Sequence, residues 1–120
     1  MDLDYLIFDY SEDEHGISNW DAMASVGPDR VTAMASEIEQ VLRWASHEFP
    51  SRQYAIDDGG DWDYDLQAMD DDGQQLTASF DSASGKLLLA SPTVGRTTAT
   101  LSLAGSTQFF AAFTQWLSTH

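Results

Sequence analysis

Residues 57–73, DDGGDWDYDLQAMDDDG, join the densest row of carboxylates in this chain to its clearest strand pattern. Asp61, Asp63 and Asp65 alternate with Trp62, Tyr64 and Leu66, a period of two. Successive side chains of an extended chain leave opposite faces, so the spacing predicts a two-faced strand. Its aromatic and aliphatic side turns to a core and its aspartates turn away from it. Asp70 to Gly73 then supplies an Asp-Gly turn that sends the chain back.

Downstream, Leu76, Ala78 and Phe80 alternate with Thr77 and Ser79 as a return strand. A second turn at Ser82 to Gly85 leads into Lys86 to Ala90, and the stretch SPTVGR (91–96) makes a third. Thr98 to Leu103 alternates again, with Ala99, Leu101 and Leu103 on one face and hydroxyls on the other. Turns at this spacing predict an antiparallel meander. Gly105 and Ser106 break the last strand and cap a closing helix in which Phe109, Phe110, Phe113, Trp116 and Leu117 share a face.

Upstream, Val31, Met34, Ile38, Val41, Leu42, Ala45 and Phe49 recur at three-and-four spacing and form one stripe of a helix. Gly27-Pro28-Asp29 starts it and Pro50 ends it. Glu37, Glu39, Arg43 and Glu48 lie off that stripe, with Trp44 at its edge. Leu3 to Tyr10 reads as a first strand with Leu6, Phe8 and Tyr10 on one face, followed by a polar turn at Ser11 to Gly16. Residues 17–26 pair back as a hairpin if they are a strand, with Trp20, Ala22, Ala24 and Val26 facing one way, but their Ala and Met suit a helix equally well. The order is strand, strand, helix, three or four strands, helix. It predicts one α+β domain over residues 1–120, a single antiparallel sheet with two helices packed on one face.

Charge narrows the function. Asp and Glu number 20 against 5 Lys and Arg, a formal net charge of -15. Nucleic acid and anionic membrane are polyanions and are disfavoured as direct ligands, whereas basic proteins and cations are favoured. With 42% hydrophobic and 12% aromatic residues the chain has the material of a folded domain. It has no cysteine, so no disulfide and no thiolate metal site. The N-terminal MDLDYLIFDY lacks the basic region of a secretion signal, and no apolar run approaches the roughly 20 residues that span a bilayer. The expected compartment is the cytoplasm.

Asp61, Asp63, Asp65 and Asp72 match ligand positions of a calcium-binding EF-hand loop, but Leu66 stands where that loop needs glycine, and Asp72 where it needs the longer glutamate. His15, His47 and His120 are scattered, and neither a nucleophile elbow nor a phosphate-binding glycine loop is present. The expectation is a protein without catalysis, cofactor or resident metal. Solubility asks for a net charge of about 2 to 8 in magnitude, and repulsion among surplus carboxylates opposes folding. The surplus therefore predicts a use. Asp57, Asp58, Asp61, Asp63, Asp65, Asp70, Asp71 and Asp72, with Asp13 and Glu14, form the candidate binding surface for a basic protein. Same-face aspartates about 6.6 Å apart present a regular anionic track. The plainer reading is a solvated face that keeps an edge strand from pairing. Self-association through an edge strand or around Trp44, and binding of a small ligand or cation, are the alternatives.

In profile, through the acidic run Asp57 to Asp72, the SEDEH turn at Ser11 to His15 and the one-domain α+β pattern, the chain resembles the small acidic immunity proteins of bacterial toxin systems. The resemblance spans the chain in character and rests on no positional motif. It implies one-to-one binding to a cognate toxin, often a basic nuclease, with no catalysis.

Overall fold

Three long strands carry the molecule, and the last of them in sequence is the middle one in space. The computed structural model describes residues 5–12, 14, 17–49, 62–81, 83–90 and 94–119. Strands β1 (Asp9–Glu12), β2 (Ser18–Val26), β3 (Trp62–Met69), β4 (Gln75–Leu76) and β7 (Thr97–Gly105) form one sheet in the order β1-β2-β7-β3-β4. Every neighbouring pair in it is antiparallel. Strands β5 (Ala78–Asp81) and β6 (Lys86–Leu89) form a separate hairpin. Helices α1 (Val31–Glu48) and α2 (Thr107–Thr119) cover one face of the large sheet. The class is α+β, as the sequence predicts.

The β2 segment is a strand despite its helix-compatible Ala and Met, because it is paired on both sides. β1 flanks it along four residues and β7 along nine, from Ser18 opposite Gly105 to Val26 opposite Thr97. Ladder bonds on two sides outweigh a weak local preference. Its burial alternates without a break, with Trp20, Ala22, Ala24 and Val26 inside.

The first strand faces as expected but starts later. Leu6 is buried, the Phe8 ring meets Phe113 edge-on, and Ile7 points out, yet among the described residues pairing begins at Asp9, and Leu3 and Asp4 lie outside them. The reason lies on α1. The Glu37 carboxylate accepts hydrogen bonds from the backbone N–H of Tyr5 at 2.9 Å and of Leu6 at 3.0 Å, which takes this segment to the helix layer. Glu37 is only 4% exposed, so a residue that reads as off the helix stripe is part of the interior. Its buried oxygens are satisfied there by the two amide donors.

The return strand also divides. Leu76 pairs with Ala68 in the sheet, but after Thr77 the chain leaves it, and β5 and β6 fold over toward α1. Phe80, Leu87 and Leu89 join the core from that side, and the Leu87 N–H donates to Glu39. The expected meander is thus interrupted, and β7 returns to the gap between β2 and β3.

Helix α1 buries the stripe Val31, Met34, Ile38, Val41, Leu42 and Ala45, following a 3-10 turn at Pro28–Arg30. Helix α2 is capped by the Ser106 hydroxyl, which accepts from the Phe109 N–H. Phe109 stacks on Trp62 with centroids 5.8 Å apart and meets Trp20, Trp44, Phe49 and Phe113 around it. Gly105 makes this approach possible, since a methyl group there would overlap the Phe109 ring.

Candidate partner-binding face

Pairing fixes what lies beside what on the sheet face the helices leave open. Residues opposite one another in a ladder share a face. Asp9, Asp21, Ser102 and Asp65 therefore form one row across four strands. The adjacent row is Ser11, Asn19, Ala104 and Asp63. At strand spacings of about 4.8 Å, Asp21 and Asp65 stand roughly 10 Å apart on either side of the Ser102 hydroxyl. The sequence missed Asp9 and Asp21. Period-two reading of β2 places Asp21 opposite the Trp20 face, but its company with Asp65 depends on β7 running between them.

Asp63 and Asp65 lie on this face as their alternation predicts, with Asp65 exposed and Asp63 half-buried. Asp63 accepts from the Tyr64 N–H at 2.8 Å, and Asp65 from the Gln67 amide at 3.0 Å. The small Ala104 between Asn19 and Asp63 leaves a shallow depression of about 190 Å³. Its rim carries the Asn19 amide, the Ser102 hydroxyl and the two carboxylates. Such a set accepts a guanidinium or ammonium, whose donors need several acceptors at once. Among the described residues, neither Asp21 nor Asp65 has an ion-pair partner, and the two ion pairs present are Arg30 with Asp29 and Arg43 with Glu39.

The far end of β3 behaves differently. Asp70 accepts from the N–H groups of Asp72 at 2.9 Å and Gln74 at 2.9 Å and so forms the turn itself, while Gly73 takes the positive φ of 79° that the turn requires. Asp71 accepts from the Arg96 N–H at 2.9 Å, tying the turn to the approach to β7. Asp72 is exposed. Glu14 is exposed in the β1–β2 turn. Asp13, Asp57, Asp58 and Asp61 lie outside the described residues, as do His15 and His120. The structure thus brings Asp63 and Asp65 together with Asp9 and Asp21, and keeps the Asp70–Asp72 turn at the opposite end of the strand.

Leu66 sits half-buried on the covered side of a continuous strand, so Asp63 and Asp65 belong to an extended ladder and not to a chelating loop. Among the described residues no three His, Asp or Glu side chains stand close enough to hold a metal ion together. Trp44, an alternative association point, is half-buried with its ring stacked on Trp116 at 5.5 Å. Tyr64, between the two acidic positions, faces the other way and stacks on Trp62. Burial, and secondarily the Asp63 charge, raise its hydroxyl above the usual tyrosine range. Among the described residues no helix is long and apolar enough to cross a membrane. Comparison with protein-family models, with curated proteins and with solved structures gives no match to this chain.

Proposed function

We propose that this is a cytoplasmic, non-catalytic binding protein that engages a basic protein through the open face of its sheet, in the manner of an immunity protein neutralising a toxin. The observation that carries the reading is the depression flanked by Asp63 and Asp65, with Asp21 and Asp9 continuing the anionic row across the sheet. An arginine or lysine of the partner enters the depression, and the surrounding carboxylates steer the encounter, raising association rates by about 10 to 1,000-fold at low salt. The chain's charge of -15 suits that role and opposes binding to nucleic acid or an anionic membrane.

The test compares the wild-type protein with the triple variant Asp21→Asn, Asp63→Asn, Asp65→Asn in capturing basic proteins from the lysate of its own cells, at low and high salt. The expected result is one stoichiometric basic partner that the wild type retains and the triple variant loses. Identical capture by both proteins, or none by either, would sink the reading.

A further inference from the structure

The large sheet ends on one side in β4, two residues long, and on the other in β1, which pairs only with β2 among the described residues and has all four residues exposed. A free edge offers a row of backbone donors and acceptors, and proteins usually blunt it. Here the edge is flanked differently on its two sides. On the helix side a groove of about 510 Å³ runs between β1 and α2, walled by Phe8, Tyr10, Trp20, Phe110 and Leu117 with Thr114 at its lip. Its wall is built: the Tyr10 ring lies 5.5 Å from Trp20 and 5.2 Å from Phe110. On the open side the same strand presents Asp9, next to Asp21.

An added strand would send alternate side chains to these two environments. A segment that satisfies both has large apolar residues at every second position and cationic ones between. A second copy of this chain does not fit. The two-fold axis that would relate two paired β1 edges keeps each face on its own side, so the open faces would set a second Asp9 and Asp21 beside the first pair, and like charges gathered on one face destabilise a ladder. We propose that β1 accepts an extended segment of a basic partner as a sixth strand, its apolar side chains filling the groove between β1 and α2 and its Lys or Arg side chains lying beside Asp9. This rests on the acidic-face reading above and adds how the partner is held.

The probe is an eight-residue peptide of alternating lysine and leucine, titrated by calorimetry against a peptide of the same composition with the lysines in one block. The alternating peptide is expected to bind at least about tenfold more tightly and to slow hydrogen exchange at β1 amides. Thr114→Trp, which fills the groove from an exposed position, and Asp9→Lys are each expected to weaken it about tenfold, with unchanged circular dichroism. Should Thr114→Trp fold poorly, Thr114→Arg sets a cation at the groove lip and is expected to weaken binding likewise. Equal binding of the two peptides, indifference to the Thr114 variants, or protection elsewhere would overturn the inference. So would a wild-type dimer that Thr114→Trp dissolves, which would assign the edge to a second copy. If the alternating peptide fails while a folded basic protein still binds the wild type and not the Asp21, Asp63, Asp65 triple variant, strand addition is wrong and the acidic-face reading stands. Failure of both probes removes both.

Discussion

Leu66, Leu101 and Ala22 form one row across β3, β7 and β2, and Asp65, Ser102 and Asp21 form the next row on the same three strands, facing the other way. In the first row Leu101 is fully buried beneath the helices, whereas on the second face Met23 is 70% exposed. Both faces hang on one set of backbone hydrogen bonds. They differ in what a substitution disturbs: on the covered face a change opens a hole in close-packed matter, and on the open face it changes charge presented to water. Stability and the proposed recognition therefore fall on opposite sides of one sheet.

The largest expected effect comes from the covered side. Phe109→Ala removes the ring around which Trp20, Trp44, Phe49, Trp62 and Phe113 are arranged, and the surrounding rings are too rigid to close over the space. Urea unfolding should show a loss of about 3–5 kcal/mol. A loss below about 1 kcal/mol would mean that this cluster is not the packed centre of the fold.

The next effect concerns the carboxylate on the covered side. Glu37 differs from Asp21 and Asp65 in being buried against specific amide donors. Glu37→Ala should strand the Tyr5 and Leu6 N–H groups and cost about 1–3 kcal/mol, because the penalty is that of unsatisfied buried donors. Hydrogen exchange at Tyr5 and Leu6 should rise with it. Unchanged exchange would show that the N-terminal segment is held by Leu6 and Phe8 packing alone.

A third test takes the open-face carboxylates. Asp21→Asn with Asp65→Asn should leave stability within about 0.5 kcal/mol, since neither has an ion-pair partner among the described residues and relief of repulsion offsets any lost contact. A loss comparable to that of Glu37→Ala would break the contrast between the faces. It would make these aspartates structural instead of available to a partner.

How much of this was legible in the sequence follows from which interactions are local. The α1 stripe, the Ser106 cap, the Asp70–Gly73 turn and the alternation in β3 and β7 all depend on neighbours within a few residues, and the sequence shows them, whereas residues 17–26 read equally as strand or helix until their two ladder partners are known. The row Asp9, Asp21, Ser102, Asp65 depends on β7 inserting between strands from two distant parts of the chain, which no local period encodes. Glu37 was missed for a similar reason: a charged residue beside an apolar stripe reads as solvated unless its donors, here at Tyr5 and Leu6, are known. The departure of the chain after Thr77 is likewise invisible in an uninterrupted alternation of Leu76, Ala78 and Phe80.

The smallest effect lies where the two faces meet. Tyr64 belongs to the covered side, stacked on Trp62 and touching Phe80 edge-on, while Asp63 beside it belongs to the open side. Burial first, and the Asp63 charge second, raise the Tyr64 hydroxyl above its ordinary value. A group whose folded-state pKa lies above its unfolded value favours folding in its protonated form. That contribution is intact below the unfolded tyrosine range, near about pH 10, and is lost as pH rises through the folded value. Above about pH 10 the wild type should therefore lose melting temperature faster than Tyr64→Phe, which has no proton to release, and the two curves should run parallel below about pH 9. Asp63→Asn should narrow the gap only slightly, because it removes the lesser cause and leaves burial in place. If Asp63→Asn abolished the alkaline difference altogether, the charge of the open face would be governing the covered one, and the separation between the two sides of β3 would not hold at this residue.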